Sequence, residues 1–239
     1  MIIHKLAYRY LRHGDDELFY RMQAHETVRW LKSIGIEVGP SVRALDLGCG
    51  HGMIGGELSE CGCQVVFADE SNWLLPEYRD ADLRIIDIEK DDVRSLGRFD
   101  LVISSNVLEH ISDPRLLIDS IEGLVKPGGL YYLSWTNALS PWWGHEFSPL
   151  HYLGARRGAR IYDRLSKRER KHTPFVDLFP YSITRILRAV RARPGLEVVD
   201  IVPRYYPEFS FLMRIPILRE FAAWNCVLLI RRTVAAADE

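Results

Sequence analysis

Ala44-Leu45-Asp46-Leu47-Gly48-Cys49-Gly50-His51-Gly52 reads as a strand that runs straight into a turn with glycine at every second position, and then into a helix. Glycines there let the backbone close tightly against a ligand, and the helix N-terminus presents free N–H groups. Outward from this stretch, short apolar runs at 42–47, 64–68, 83–86, 99–104 and 130–135 alternate with helix-like segments such as 53–60 and 116–125. Alternation of this kind predicts a parallel sheet wrapped by helices. Upstream, Leu18, Met22, Val28, Trp30 and Leu31 recur at helical spacing, so residues 1–40 read as a helical cap ended by Gly39-Pro40.

The alternation stops after Trp135. Residues 137–180 are rich in Trp, His, Arg and Pro and poorly periodic, and a connection that long usually serves function. A helix with a Ser cap follows at 182–191, then strands at 196–202 and 224–231. Between those strands, 203–223 is aromatic and apolar, and Pro207 and Pro216 forbid one long helix. The expectation is a single α/β domain over 1–239 with a Rossmann-like, seven-stranded, mostly parallel sheet, helices on both faces and an antiparallel last strand. Residues 41–136 form its cofactor half; 137–239 form its substrate half, with insertions at 137–180 and 203–223.

The formal net charge is -1, from 31 basic and 32 acidic residues, so no global field recruits nucleic acid. The balance is uneven: residues 1–136 carry 14 Lys/Arg against 22 Asp/Glu, and residues 137–239 carry 17 against 10. No stretch approaches the ~18 apolar residues of a membrane span, and the start lacks a secretory apolar run, so a cytoplasmic location with reduced thiols is expected. Cys61-Gly62-Cys63 has no second Cys pair or His at finger spacing, and no metal site is expected there.

Asp69 closes the second strand, where a carboxylate can accept both hydroxyls of a ribose, and Asp87 stands at the tip of the third, facing a base amino group. Two nucleotide readings compete. Gly50-His51-Gly52-Met53-Ile54-Gly55 formally fits the G-x-G-x-x-G of dinucleotide enzymes. It begins well after the strand, however, and Asp69 follows it too closely. Asp46, inside the strand end, favours a ligand with an ammonium group over a pyrophosphate. A nicotinamide-dependent oxidoreductase and a non-catalytic binding protein stay as alternatives.

Asp46-Leu47-Gly48-Cys49-Gly50-His51-Gly52 resembles motif I of the class I S-adenosylmethionine-dependent methyltransferases, and Asp69 matches their ribose-binding acid. Phe99-Asp100-Leu101-Val102-Ile103-Ser104-Ser105-Asn106-Val107-Leu108-Glu109-His110 resembles their fourth-strand motif, and Lys126-Pro127-Gly128-Gly129 the turn before strand five. The likeness is to the branch that includes ubiquinone-pathway and small-molecule enzymes. Gly144-His145-Glu146, His151-Tyr152-Leu153-Gly154 and Leu218-Arg219-Glu220-Phe221 more loosely resemble uncharacterised actinobacterial members. The resemblance implies S-adenosylmethionine as cofactor, with contacts from Asp46, Gly48, Cys49, Gly50, Gly52, Asp69, Glu70, Asp87, Ile88 and Asn106. The residue after the ribose acid is usually apolar and packs on adenine; here it is Glu70, which shifts that packing to Ile88 or Trp73.

Methyl transfer is an in-line displacement on a sulfonium, so the enzyme mainly aligns the reactants and excludes water. A base is needed where the acceptor is a hydroxyl, and an imidazole with a pKa near ~6.5 suits that. His110 is the first candidate; alternatively Glu109 and His110 simply orient the helix that follows. In related quinone O-methyltransferases this Glu-His pair is associated with a divalent ion. His145, Glu146 and His151 form a second cluster, as base, substrate contact, metal ligands or structural residues. Arg156, Arg157, Arg160, Arg164, Lys167, Arg168, Arg170 and Lys171 are either a solvated face or a contact for an anionic substrate or acidic headgroups. The expected acceptor is small or lipid-linked, methylated at oxygen, with peripheral membrane contact left open.

Overall fold

In a computed structural model, which describes residues 16–141, 143–166 and 169–234, helix α1 (Asp16–Ser33) precedes strand β1 (Arg43–Leu47), helix α2 (Met53–Glu60) and strands β2 (Gln64–Asp69), β3 (Asp82–Ile85) and β4 (Phe99–Ser105). Then come α3 (Arg115–Leu124), β5 (Val125–Thr136), α4 (Ala155–Leu165), α5 (Ile183–Arg191), β6 (Leu196–Pro203), α6 (Pro216–Ala222) and β7 (Asn225–Arg232). The first fifteen residues of the expected cap, and Lys167 and Arg168 of the basic run, lie outside the described residues.

The seven strands form one sheet in the order β3-β2-β1-β4-β5-β7-β6. All neighbours are parallel except β7, which runs antiparallel to both β5 and β6. Strand alternation sends successive side chains to opposite faces. Leu45, Leu47, Val102, Leu133 and Trp135 bury one face against Leu117, Ile118 and Ile121 of α3 and Ile186, Leu187 and Val190 of α5. Ala44, Leu101, Ile103, Tyr132 and Leu229 bury the other against Val28 and Leu31 of α1 and Leu58 of α2.

Beyond shifts of one residue at other ends, three boundaries differ from the sequence reading for a local reason. Helix α1 stops at Ser33, before Gly39-Pro40, because Gly35 takes φ 82° and the N–H groups of Gly35 and Ile36 close on Lys32 and Leu31. Strand β3 ends at Ile85, so Asp87 lies in the turn beyond it. Strand β5 starts at Val125, with the 126–129 turn bulging out between the Phe99–Val125 and Leu101–Leu130 pairs. The Ser182 cap is present: its hydroxyl oxygen accepts the Arg185 N–H at 3.3 Å.

Residues 137–180 contain α4 and short 3-10 turns over a small core of Trp143, Phe147, Ala159 and Leu178. Residues 203–223 contain a 3-10 stretch, Pro207–Arg214, and α6. Buried Glu220 anchors α6 by accepting the N–H groups of Ile183 and Thr184 at the start of α5, at 3.0 and 2.7 Å.

Candidate active site

The glycine turn hangs from the tip of β2. Gly48 and Cys49 both donate to the Ala68 carbonyl, at 2.8 and 3.1 Å, and Gly50 donates to Asp69 Oδ2 at 2.8 Å. Gly48, Gly50 and Gly52 take φ of 72°, 49° and 81°. Only glycine fits at Gly48, where a Cβ would stand 2.2 Å from a Val107 methyl. Gly50 faces open space, with nothing within 4 Å of where its Cβ would be, so ligand atoms can approach its backbone closely. The Asp69 carboxylate spends one oxygen on Gly50 and stays half-buried at the strand tip, its other oxygen unpartnered among the described residues.

Asp46 faces inward. It is 2 % exposed, and its Oδ2 accepts the Gly55 N–H of α2 at 2.8 Å. Burial pushes its carboxyl up to about 7, against the lowering effect of that hydrogen bond. The folded-state pKa thus lies above the ordinary 3.8, so the fold holds a proton that the unfolded chain releases. Stability should therefore fall as pH rises from about 4 to about 7, by on the order of a few kcal/mol, and level off above. Asp46→Asn keeps an acceptor for Gly55 but cannot titrate. Urea melts across that range should show the wild type losing stability relative to the variant; parallel curves would refute the assignment.

Cys49 is buried, and burial pushes its thiol far up, so it is no nucleophile. Glu70 is exposed, Ile88 packs against the main core, and Trp73 is 53 % exposed with its carbonyl 2.9 Å from His51 Nδ1. The Asp87 carboxylate is engaged in its own turn, accepting the Glu89 N–H and Lys90 Nζ, and the Lys90 hydrogen bond holds it below the ordinary range. Asn106, at φ 58° just past β4, accepts Asn225 Nδ2 at 2.8 Å and Arg204 at 3.2 Å. Arg204 also reaches Ser134 and, on α1, Thr27, which ties the cap to the end of β4. Beside it a groove of about 350 Å³ runs between Trp30, Arg204 and Tyr205.

The end of the first insertion, with Tyr181 just after it, lies against residues 109–112 beyond β4. Phe179 donates to the Glu109 carbonyl at 2.7 Å, and Tyr181 Oη donates to the carbonyls of Ile111 and Ser112, both at 2.7 Å. His110 Nδ1 sits 2.6 Å from the Asp177 carbonyl. A carbonyl only accepts, so Nδ1 is the donor here, and in the neutral ring the lone pair is on Nε2.

Around His110 the fold gathers His145 and His172, with ring centroids 6.0 and 5.4 Å away. His145 and His172 stack at 4.6 Å. His172 Nδ1 meets Glu146 Oε1 at 2.9 Å; burial pushes the Glu146 carboxyl up, but that hydrogen bond, a backbone N–H and the two neighbouring imidazoles together hold it below the ordinary range. Burial and the two neighbouring imidazoles push His145 down to about 4, so it is neutral near pH 7. His145 Nε2 and Glu146 Oε2 are buried without a partner. Thus His110, His145 and Glu146 come together, and His172 joins them although nothing in the sequence singled it out. His151 does not join. It is 6 % exposed, edge-on to Trp143, and its Nε2 meets the Ser140 carbonyl at 2.9 Å.

Glu109 turns away from this group: its Oε1 accepts the Thr136 N–H at 3.0 Å. The imidazoles of His145 and His172 meet face to face. Among the described residues no group of three or more His, Cys, Asp or Glu side chains is arranged to hold a metal ion.

Residues 8–179 match a family model described as a methyltransferase domain. An uncharacterised methyltransferase of Mycobacteroides abscessus is 31% identical over 230 residues, covering 90% of this chain and 87% of that protein. Among solved structures, an S-adenosylmethionine-dependent methyltransferase from Mesorhizobium loti superposes with a TM-score of 0.59 at 22% identity, over 87% of this chain and 98% of that one. Magnesium protoporphyrin IX methyltransferase from Synechocystis, solved with bound S-adenosylhomocysteine, gives 0.55 at 16% identity, over 90% and 84% of the two chains. The chain belongs to the methyltransferase family, and its fold is that of the class I enzymes dependent on S-adenosylmethionine. S-adenosylmethionine is the cofactor this membership defines, and the open backbone at Gly50 beside Asp69 fits it.

Proposed function

We propose that the chain transfers a methyl group to an oxygen of a small or lipid-linked acceptor, with His110 as general base. The observation that carries this reading is the 2.6 Å contact from His110 Nδ1 to the Asp177 carbonyl, just beyond the tip of β4, which leaves Nε2 as a neutral proton acceptor. Bound S-adenosylmethionine would supply the methyl group already activated on a sulfonium. The backbone of 48–52 and Asp69 would hold it, with Glu70, Asp87, Ile88 and Asn106 around the rim. Asp46 would act from inside, pinning the start of α2 behind the turn. His110 Nε2 would take the hydroxyl proton as the oxygen attacks in line. His145, neutral and with a buried unpartnered Nε2, and Glu146, with a free Oε2, would contact the polar end of the acceptor. His151 would serve the insertion's own packing. The basic and apolar insertions together suit an amphiphilic acceptor.

The test is a labelled-methyl assay with a panel of hydroxyl and amine amphiphiles, read by product mass across a pH series. Transfer to hydroxyls should rise with pH and then level off, as it does wherever a side-chain base must be unprotonated to act. Transfer to amines alone, or a rate flat with pH on hydroxyl acceptors, would remove His110 as base.

A further inference from the structure

Helix α4 presents Arg156, Arg157, Arg160 and Arg164 to solvent. At about 100° per residue these four fall within roughly one quadrant of the helix. The opposite side is fixed inward: a Cβ on Gly158 would stand 2.3 Å from the Leu150 carbonyl oxygen, and Ala155, Ala159 and Tyr162 pack with Trp143 and Phe147. The helix therefore cannot roll its arginines under. Arg170 is different, since it pairs with Asp163 at 2.7 Å. The four on the outer face make no ion pair among the described residues.

Large apolar side chains rim this basic face. Leu153 is 58% exposed and Tyr152 51%, at the helix start, and Leu165 is 77% exposed at its end. Beside Arg156, whose guanidinium lies 5.1 Å over the Phe175 ring, a tight turn carries Phe175 and Val176, 43% and 71% exposed. The turn is held by Phe175 donating to the Leu178 carbonyl, Val176 donating to the Thr173 carbonyl and Thr173 donating to Asp177 Oδ1. Phe175 takes φ 64°, a conformation that bulky L side chains rarely adopt, and the turn presents it to water nonetheless.

We infer that this face docks on a lipid surface bearing anionic headgroups, the arginines meeting phosphates and Leu153, Phe175 and Val176 entering the headgroup layer. Unpaired cations interleaved with exposed apolar side chains match the two attractions such a surface offers. A soluble polyanion would use the arginines and leave the apolar rim wet. The inference stands without any step of methyl transfer.

The experiment is co-sedimentation of the full chain with vesicles of phosphatidylcholine alone, or of phosphatidylcholine with phosphatidylglycerol, at low and high salt. The anionic vesicles should bind at least about tenfold more tightly, with the excess falling as salt rises. Replacing the four arginines by Gln, or by Glu, should remove that excess. Val176→Ser should weaken binding to the anionic vesicles while leaving its salt dependence in place. Thermal melts establish that each variant is folded, and the Gln set answers for a Glu set that fails to fold. Equal binding to both vesicle types, wild-type binding by the Gln set, or retention on heparin without vesicle binding would overturn the inference.

Discussion

His110→Ala should lower the rate of methyl transfer by about 10²–10⁴-fold, the span that general-base catalysis commonly supplies. Calorimetry with S-adenosylhomocysteine should find its affinity nearly unchanged, because the imidazole is tied to the insertion through Asp177 and not to the glycine turn. His110→Asn is the sharper variant, since its Nδ2 falls where the ring Nδ1 was and can still donate to the Asp177 carbonyl, but it has no basic nitrogen. The rate should fall as far as in His110→Ala, and the rise with pH should disappear. An Asn variant retaining half the wild-type rate would place the base elsewhere, and a joint loss of rate and cofactor affinity would make His110 a structural residue.

Asp69→Ala should weaken S-adenosylhomocysteine binding by ~2–4 kcal/mol, roughly thirtyfold to a thousandfold, through lost charged hydrogen bonds. Two effects combine in that figure. The carboxylate no longer meets the ligand with its free oxygen, and Gly50 loses the acceptor that fixes the turn. Asp69→Asn separates them, because an amide oxygen can still take the Gly50 N–H. Its loss should fall between wild type and Asp69→Ala. Calorimetry decides, with a thermal melt to establish that the sheet is intact; unaltered binding in both variants would mean that Asp69 does not face the cofactor.

The sheet was legible because its signals are local. Apolar runs and glycine spacing mark β1, β2, β4 and β5, and even the reversal of β7 followed from the irregular, proline-broken link before it. The glycine turn was legible for the same reason, since Gly48, Gly50 and Gly52 mark their own backbone conformation. The histidine cluster was only half legible. His110 and His145 drew attention by residue type, but His172 follows a basic run with no periodic frame. Its partnership with Glu146 is made by an insertion whose path no spacing rule predicts. The Asp177 contact to His110 is a backbone carbonyl, which any residue could supply, so no residue type could have announced it. Asp46 was legible as a carboxylate at a strand end, but not that its Oδ2 would take the Gly55 N–H, because that contact is made across the turn.

The contact between His110 and the 177 carbonyl bears on how this enzyme could be re-engineered. In many α/β enzymes the specificity loops are exchanged as modules while the chemistry stays on the strands. Here the strand end supplies the imidazole, but residues 177–181 set its tautomer and lie against 109–112. On the roles proposed above, a chimera that grafts a relative's insertion at 137 and rejoins before 177 would import acceptor recognition and keep the carbonyl that orients His110. One rejoined after 181 would exchange the acceptor pocket and the support of the imidazole together, so a change of substrate and a loss of turnover would arrive in the same graft.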